Sequence, residues 1–230
     1  MNIPDYLDEL LKKIWKESEP VSIFLYGSMA RDDFETDSDY EIGVIYKEKN
    51  KWSRQKLSDL NTFKDVKIYP FSREELESGE IDTPFPKAIY LQTLLQSSVL
   101  LYGQDLKKII KNSKIKKEDL IESTAFSLGR AYSAVVSSRQ NDWMAVRDAF
   151  TKSALYGLQV LIYAKTEKLL FSYNQIKEES ENLIGDEYGD LINHVIEVRR
   201  GNEVVVTSLL YQNISFLNKV VLKAIKDSKG

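Results

Sequence analysis

Two carboxylates one residue apart, Asp39 and Glu41, follow a Gly27-Ser28 pair after ten intervening residues. Both motifs lie against apolar runs, Phe24-Leu25-Tyr26 before the glycine and Tyr40 to Val44 around the glutamate. Side chains on a β-strand alternate between faces, so Asp39 and Glu41 share one face while Tyr40 and Ile42 take the other. Such a pair offers hard oxygen ligands to Mg²⁺, which takes one or two carboxylates and fills its other positions with phosphate oxygens and water. Gly27 lets backbone approach a phosphate closely. Ser28 to Arg31 would open a helix whose N–H groups and positive dipole end favour an anion. Ser28 Oγ can donate to a terminal phosphate and Arg31 can neutralise it. Side by side, these residues suit a metal-bound triphosphate. Asp37 has the parity of Asp39 but precedes the apolar alternation, and reads as an exposed turn residue.

The elements that must position these residues follow from hydrophobic periodicity. Leu7, Leu10, Leu11, Ile14 and Trp15 fall at helical spacing, which predicts an amphipathic helix over about Tyr6 to Trp15, ended by Glu19-Pro20. Val21–Tyr26 and Tyr40–Tyr46 read as strands, and Lys64–Phe71 as a third that Pro70 limits to an edge or an end. Trp52–Phe63 is a short helix or an ordered loop, and Ser72-Arg73-Glu74-Glu75 is a capping-box pattern opening a helix to about Ser78. Lys87–Gln96 reads as helix, and Ser98 to Gly103 as a short apolar run closed by glycine. Beyond Gln104 the strands stop. Helices are expected over roughly Glu118–Ser138, Trp143–Glu167, Tyr173–Leu183, Glu187–Val198 and Glu203–Lys226. An α/β half followed by an all-helical half predicts an α+β protein with a domain over 1–103, a linker over 104–117 and a helical bundle over 118–230.

Composition narrows the classes. The chain has 230 residues, 43% of them hydrophobic, which supports real cores. It has no cysteine, which excludes disulfides and thiolate zinc sites and fits a reducing compartment. The acidic N-terminal segment lacks a leader pattern and no apolar run reaches membrane-spanning length, so a cytoplasmic protein without a membrane partner is expected. Residues 1–103 carry 13 Lys+Arg against 19 Asp+Glu, whereas residues 104–230 carry 19 against 16. That asymmetry suits an anionic substrate and is too small to mark a nucleic-acid binder. Lys107, Lys108, Lys111, Lys114, Lys116 and Lys117 form a basic run that reads first as a solvated linker face and second as a contact for RNA or an acidic substrate. His194, the one histidine, reads as an ordinary surface or packing residue. A homodimer is compatible with the sequence.

Gly27-Ser28-x-Ala30-Arg31 followed by Ser38-Asp39-Tyr40-Glu41-Ile42-Gly43-Val44 resembles the signature of the nucleotidyltransferase superfamily related to DNA polymerase beta, which includes minimal and antibiotic nucleotidyltransferases. The resemblance covers roughly residues 20–103, with Leu100-Leu101-Tyr102-Gly103 at its end. It implies transfer of a nucleoside monophosphate from an NTP, taken as ATP, to an acceptor hydroxyl on a small molecule or protein, with release of pyrophosphate. Asp39 and Glu41 would hold Mg²⁺ or Mn²⁺, and Gly27, Ser28, Arg31 and Lys67 would contact the nucleotide. Active members add a third carboxylate on the neighbouring strand, where this chain has Val66-Lys67-Ile68. Asp65, on the same strand parity, takes that catalytic role if the register shifts slightly. If Lys67 holds the slot, the alternative is a catalytically weakened nucleotide-binding module, such as half of a toxin–antitoxin or regulatory pair.

Overall fold

The computed structural model describes residues 3–31, 38–48, 52–112, 114–184 and 186–228, and Asp37 lies outside them. The chain divides into two compact units, Met1–Lys114 and Ile115–Gly230. The first is an α+β unit and the second is all helical, the fold class expected from the sequence.

The first unit is built on a four-stranded sheet in the order β3-β2-β1-β4, with β1 at Ser22–Tyr26, β2 at Tyr40–Tyr46, β3 at Val66–Ser72 and β4 at Val99–Gly103. β1 is antiparallel to β2 and β4, whereas β2 and β3 run parallel through a crossover that contains helix α2, Arg54–Leu60. Pro70 is tolerated because β3 is an edge strand. The apolar run after Ser98 becomes β4, the other edge, and its pairing with β1 carries an irregularity between Ile23 and Phe24.

Both sheet faces are covered. Helix α1, Asp5–Ser18, presents Leu7, Leu10, Leu11 and Ile14 to Ile23, Leu25, Ile42, Val44, Val66 and Ile68, with Leu57 of α2 beside them. The helix stops at Glu19, which takes a left-handed φ of 46° just before Pro20. On the opposite face Phe24, Tyr26, Ile45 and Phe71 meet Leu76 of α3 (Arg73–Ser78) and Leu91 and Leu94 of α4 (Lys87–Ser97). Ser72 stands at the N-cap of α3, but its hydroxyl makes no capping hydrogen bond and is buried without a partner. Leu106, Ile109 and Ile110 complete this second cluster. The lysines at 107, 108 and 111 are therefore the solvent side of a short turn whose apolar positions are anchored in the core.

The second unit consists of α5 (Lys117–Arg139), α6 (Trp143–Thr166), α7 (Tyr173–Leu183), α8 (Asp186–Arg200), α9 (Thr207–Phe216) and α10 (Leu222–Asp227). Helix α6 is its centre and buries Val146, Phe150, Ala154, Leu155, Leu158, Leu161 and Ile162. Along α5, Thr124 and Ser127 are buried and donate to the carbonyls one turn back, at 2.8 and 2.9 Å, so their small polar side chains enter the core satisfied. The helix expected from Glu203 starts only at Thr207, after three consecutive valines whose branched Cβ atoms disfavour the helical first turn. Between α9 and α10 the backbone makes a π turn, Leu217–Val221, and Leu217 fills the space that a Cβ on Gly157 would need, 2.3 Å from its Cδ2. His194 of α8 meets the Glu203 carboxylate through its ring Nδ1. No helix among the described residues is long and apolar enough to cross a membrane.

Candidate active site

The strand registers set the site. Glu41 stands between Tyr26 of β1 and Lys67 of β3, and Asp39 precedes it by two residues, so these four residues have the same parity on the sheet. This is the face of Phe24, Tyr26 and Phe71, whose far end is covered by α3 and α4. The carboxylates lie at the other end, where β2 and β3 begin and β1 ends.

At the end of β1 the chain turns through Gly27 with φ of 77°. A Cβ there would lie 1.9 Å from Glu41 Oε2, so the glutamate carboxylate occupies the space left by the missing side chain. Two demands coincide at Gly27, a left-handed backbone and close approach by a charged group, and glycine alone meets both at low cost. Ser28 follows, half-buried, and Met29–Arg31 form a single 3-10 turn in which Arg31 N–H donates to Ser28 O at 3.1 Å. The helix expected to begin at Ser28 is thus one short turn within the described residues. Backbone N–H groups, the Ser28 hydroxyl and the Arg31 guanidinium, and no long helix dipole, are what this corner offers an anion.

Lys67 is the residue that the register sets beside Glu41, and its ammonium is ion-paired with Asp39 Oδ2. Asp39 beside it, opposed in part by desolvation and aided by Glu41, raises the lysine above its usual range, so it is fully charged at neutral pH. The small register shift that would bring Asp65 alongside is absent, because β2 and β3 pair without interruption from Tyr40↔Val66 to Tyr46↔Ser72. Asp65 instead accepts a hydrogen bond from the Tyr6 hydroxyl of α1 at 2.6 Å, and its carbonyl accepts from Tyr40 N–H at 2.7 Å. Tyr6 and Phe63 pack on the cluster under α1, on the other side of the sheet, which is the physical reason the Asp65 carboxylate is drawn away from Asp39 and Glu41.

Aromatic side chains surround this charged corner. Burial, with Tyr90 and Glu41 nearby, pushes the Tyr26 phenol far above its ordinary range, so it stays neutral beside the carboxylate. Tyr69, two residues after Lys67, lies under the Arg54 guanidinium, 4.4 Å from ring centroid to Cζ. Neither tyrosine stands out in the sequence as a site residue, although period-two counting from Glu41 and Lys67 puts both on this face.

The donor set fits one hard divalent cation. Asp39 and Glu41 supply two carboxylates, and among the described residues no group of three or more His, Asp or Glu stands together as a metal site. Mg²⁺ is commonly held by such a pair when phosphate oxygens complete its shell.

Comparison with known proteins bears on the first unit and on the fold. Residues 9–81 match the family model described as polymerase beta, nucleotidyltransferase, a span that runs from α1 past α3 and includes Gly27, Ser28, Arg31, Asp39, Glu41, Asp65 and Lys67. Among solved structures, the chain resembles spectinomycin adenyltransferase AAD(9) from Enterococcus faecialis, solved with ATP and spectinomycin. The TM-score is 0.62 at 14% sequence identity, over 96% of this chain and 97% of that one, a likeness of fold. No curated protein sequence matches significantly. The Gly27-Ser28 turn, the Asp39 and Glu41 carboxylates and the mixed sheet thus lie in the unit whose residues 9–81 match the polymerase beta nucleotidyltransferase model, and the fold is similar to that of an adenyltransferase.

Proposed function

We propose that the protein is a Mg²⁺-dependent nucleotidyltransferase that moves a nucleoside monophosphate from an NTP, with ATP as donor, to a hydroxyl group of a small molecule. The observation that carries this is the meeting of Asp39, Glu41 and Gly27 at one corner of the sheet, with Glu41 lying over the glycine. The fold neighbour was solved with ATP and an antibiotic, which supports ATP and a small-molecule acceptor as the substrate classes.

Asp39 and Glu41 hold the cation. Bound there, Mg²⁺ neutralises phosphate oxygens and stabilises the charge that builds at the attacked phosphorus. Gly27 N–H, Ser28 and Arg31 hold the non-transferred phosphates, and Lys67 adds a positive charge on the same side. The acceptor hydroxyl gives up its proton to solvent water and its oxygen forms a bond to the α-phosphorus as the bond to the α–β bridging oxygen breaks, and pyrophosphate leaves with that electron pair. Catalysis here is chiefly positioning and electrostatics. Asp65 is a positioning residue, because it ties α1 to the start of β2 through Tyr6 and Tyr40. A second reading, a nucleotide-binding module of low turnover acting within a toxin–antitoxin or regulatory pair, is favoured by the Lys67–Asp39 ion pair.

The deciding experiment incubates the protein with α-labelled ATP, Mg²⁺ and a panel of hydroxylated small molecules that includes spectinomycin. The proposed function expects label on an acceptor, and loss of that label in Asp39→Ala and Glu41→Ala. Transfer that survives both substitutions overturns the assigned roles. Nucleotide binding without pyrophosphate release for any acceptor supports the second reading.

A further inference from the structure

The corner that carries the two carboxylates also carries its own cation. Lys67 stands opposite Glu41 in the β2–β3 register, and its ammonium sits on Asp39 Oδ2. Both partners are reachable from solvent, the lysine side chain 47% and the aspartate side chain 31% exposed. A divalent cation on Asp39 and an ammonium on the same carboxylate would be like charges a few ångströms apart, so the two occupancies oppose each other. Glu41 does not relieve this conflict, because its carboxylate lies over Gly27 and its charge, across the strand from Lys67, also favours the ammonium. A triphosphate beside Gly27 and Ser28 would present several anionic oxygens to that ammonium, and a lysine side chain has the length and rotational freedom to change partners.

We infer that Lys67 is an exchangeable counter-ion that guards Asp39 until nucleotide is bound. In the nucleotide-free protein it neutralises Asp39 and weakens the hold on a divalent cation; with nucleotide present it moves to a phosphate, and Asp39 becomes a ligand. This deepens the proposed function and rests on it. It has two separable consequences. The free protein has low affinity for divalent cations, and it retains measurable affinity for ATP when no divalent cation is present.

Two binding measurements on the full chain test this without any turnover. Mn²⁺ binding without nucleotide is followed by the electron paramagnetic resonance signal of the free ion, and ATP binding is measured calorimetrically in EDTA. Removing the charge with Lys67→Met is expected to tighten Mn²⁺ about fivefold and to weaken ATP in EDTA about fivefold, the upper range for a partly exposed ion pair. Lys67→Glu should exceed both effects, and Lys67→Arg should behave as the wild type. Lys67 is exposed, so these variants do not disturb the core. If Lys67→Met changes neither affinity, or only one of the two, the exchange is overturned while the proposed function stands. If Asp39→Ala and Glu41→Ala leave Mn²⁺ binding untouched, the metal site itself is wrong and the inference falls with it.

Discussion

Replacing Gly27 by alanine tests the site geometry through two effects that can be measured apart. The first is conformational. At φ of 77° an alanine sits in the left-handed region, which costs about 1–2 kcal/mol. The second is steric. The new methyl group would lie 1.9 Å from Glu41 Oε2, far inside contact distance. That oxygen is the end of a flexible side chain, so the clash is relieved by moving the carboxylate, which adds little to the loss of stability but takes Glu41 out of position. Displacing a ligand in this way typically lowers metal affinity by roughly tenfold or more. Gly27→Ala should therefore lower the urea-unfolding free energy by about 1–2 kcal/mol, followed by fluorescence of Trp15 and Trp52 in the first unit, and should weaken Mn²⁺ binding in the presence of ATP. Gly43→Ala is the control. Its methyl would meet the Phe24 ring at 2.1 Å in the packed interior, which costs about 1–3 kcal/mol of stability, with Mn²⁺ affinity retained. If Gly27→Ala loses stability and keeps its Mn²⁺ affinity, Glu41 is not held by the glycine in the way described.

Other outcomes follow from hydrogen bonds and burial. The Tyr6 hydroxyl, held by Asp65, is pushed up to about 12 from an ordinary 10.0, and burial moves Tyr46 the same way. Because the folded-state value lies above the unfolded one, this stabilisation is complete below pH 10.0 and is lost as pH rises to about 12. In alkaline unfolding followed by circular dichroism, Tyr6→Phe should be less stable than wild type at neutral pH by about 0.5–1.5 kcal/mol and should lose less stability across that window; parallel curves would contradict the Asp65 contact. Ser72→Ala removes a buried hydroxyl that has no partner, so it should be neutral or stabilising in thermal melts. In the second unit Asn213 Nδ2 donates to Ser153 Oγ at 2.7 Å, while its Oδ1 is buried unpaired. Ser153→Ala should cost about 1–3 kcal/mol by orphaning the amide. Adding Asn213→Leu should recover most of that, and a double variant as weak as the single one would argue against it.

The sequence makes the first half of the site readable because its chemistry is local. Asp39, Glu41 and Gly27 sit on strand and turn patterns that need no knowledge of neighbouring chains, and β2 falls at the residues its alternation predicts. The third position depends on how β3 is registered against β2, a non-local fact. Parity alone leaves Asp65 and Lys67 equivalent, and what separates them is Tyr6, which is 59 residues from Asp65 in the chain. The same limit applies to Leu106, Ile109 and Ile110, whose lysine neighbours dominate the local composition while the sheet face they cover comes from distant strands. In the helical unit, periodicity finds the helices but overruns at Glu203, where a run of valines outweighs the pattern.

The π turn at Leu217–Val221 has a consequence for how the second unit can vary. A π turn holds one residue more than an α turn, so everything after it is rotated by about 100° relative to an uninterrupted helix. Ala224 and Ile225 face the core because of that rotation, and Lys223 and Lys226 stay outside. A one-residue deletion within 217–221 would close the π turn into α turns and leave the last turns in their present phase, because the turn already absorbs the extra residue. Closing the turn with all five residues kept would instead carry Lys223 to the angle where Ala224 now packs. The helix can therefore lose one residue at this point with the core face of α10 kept, whereas a deletion after the turn would change its angular register.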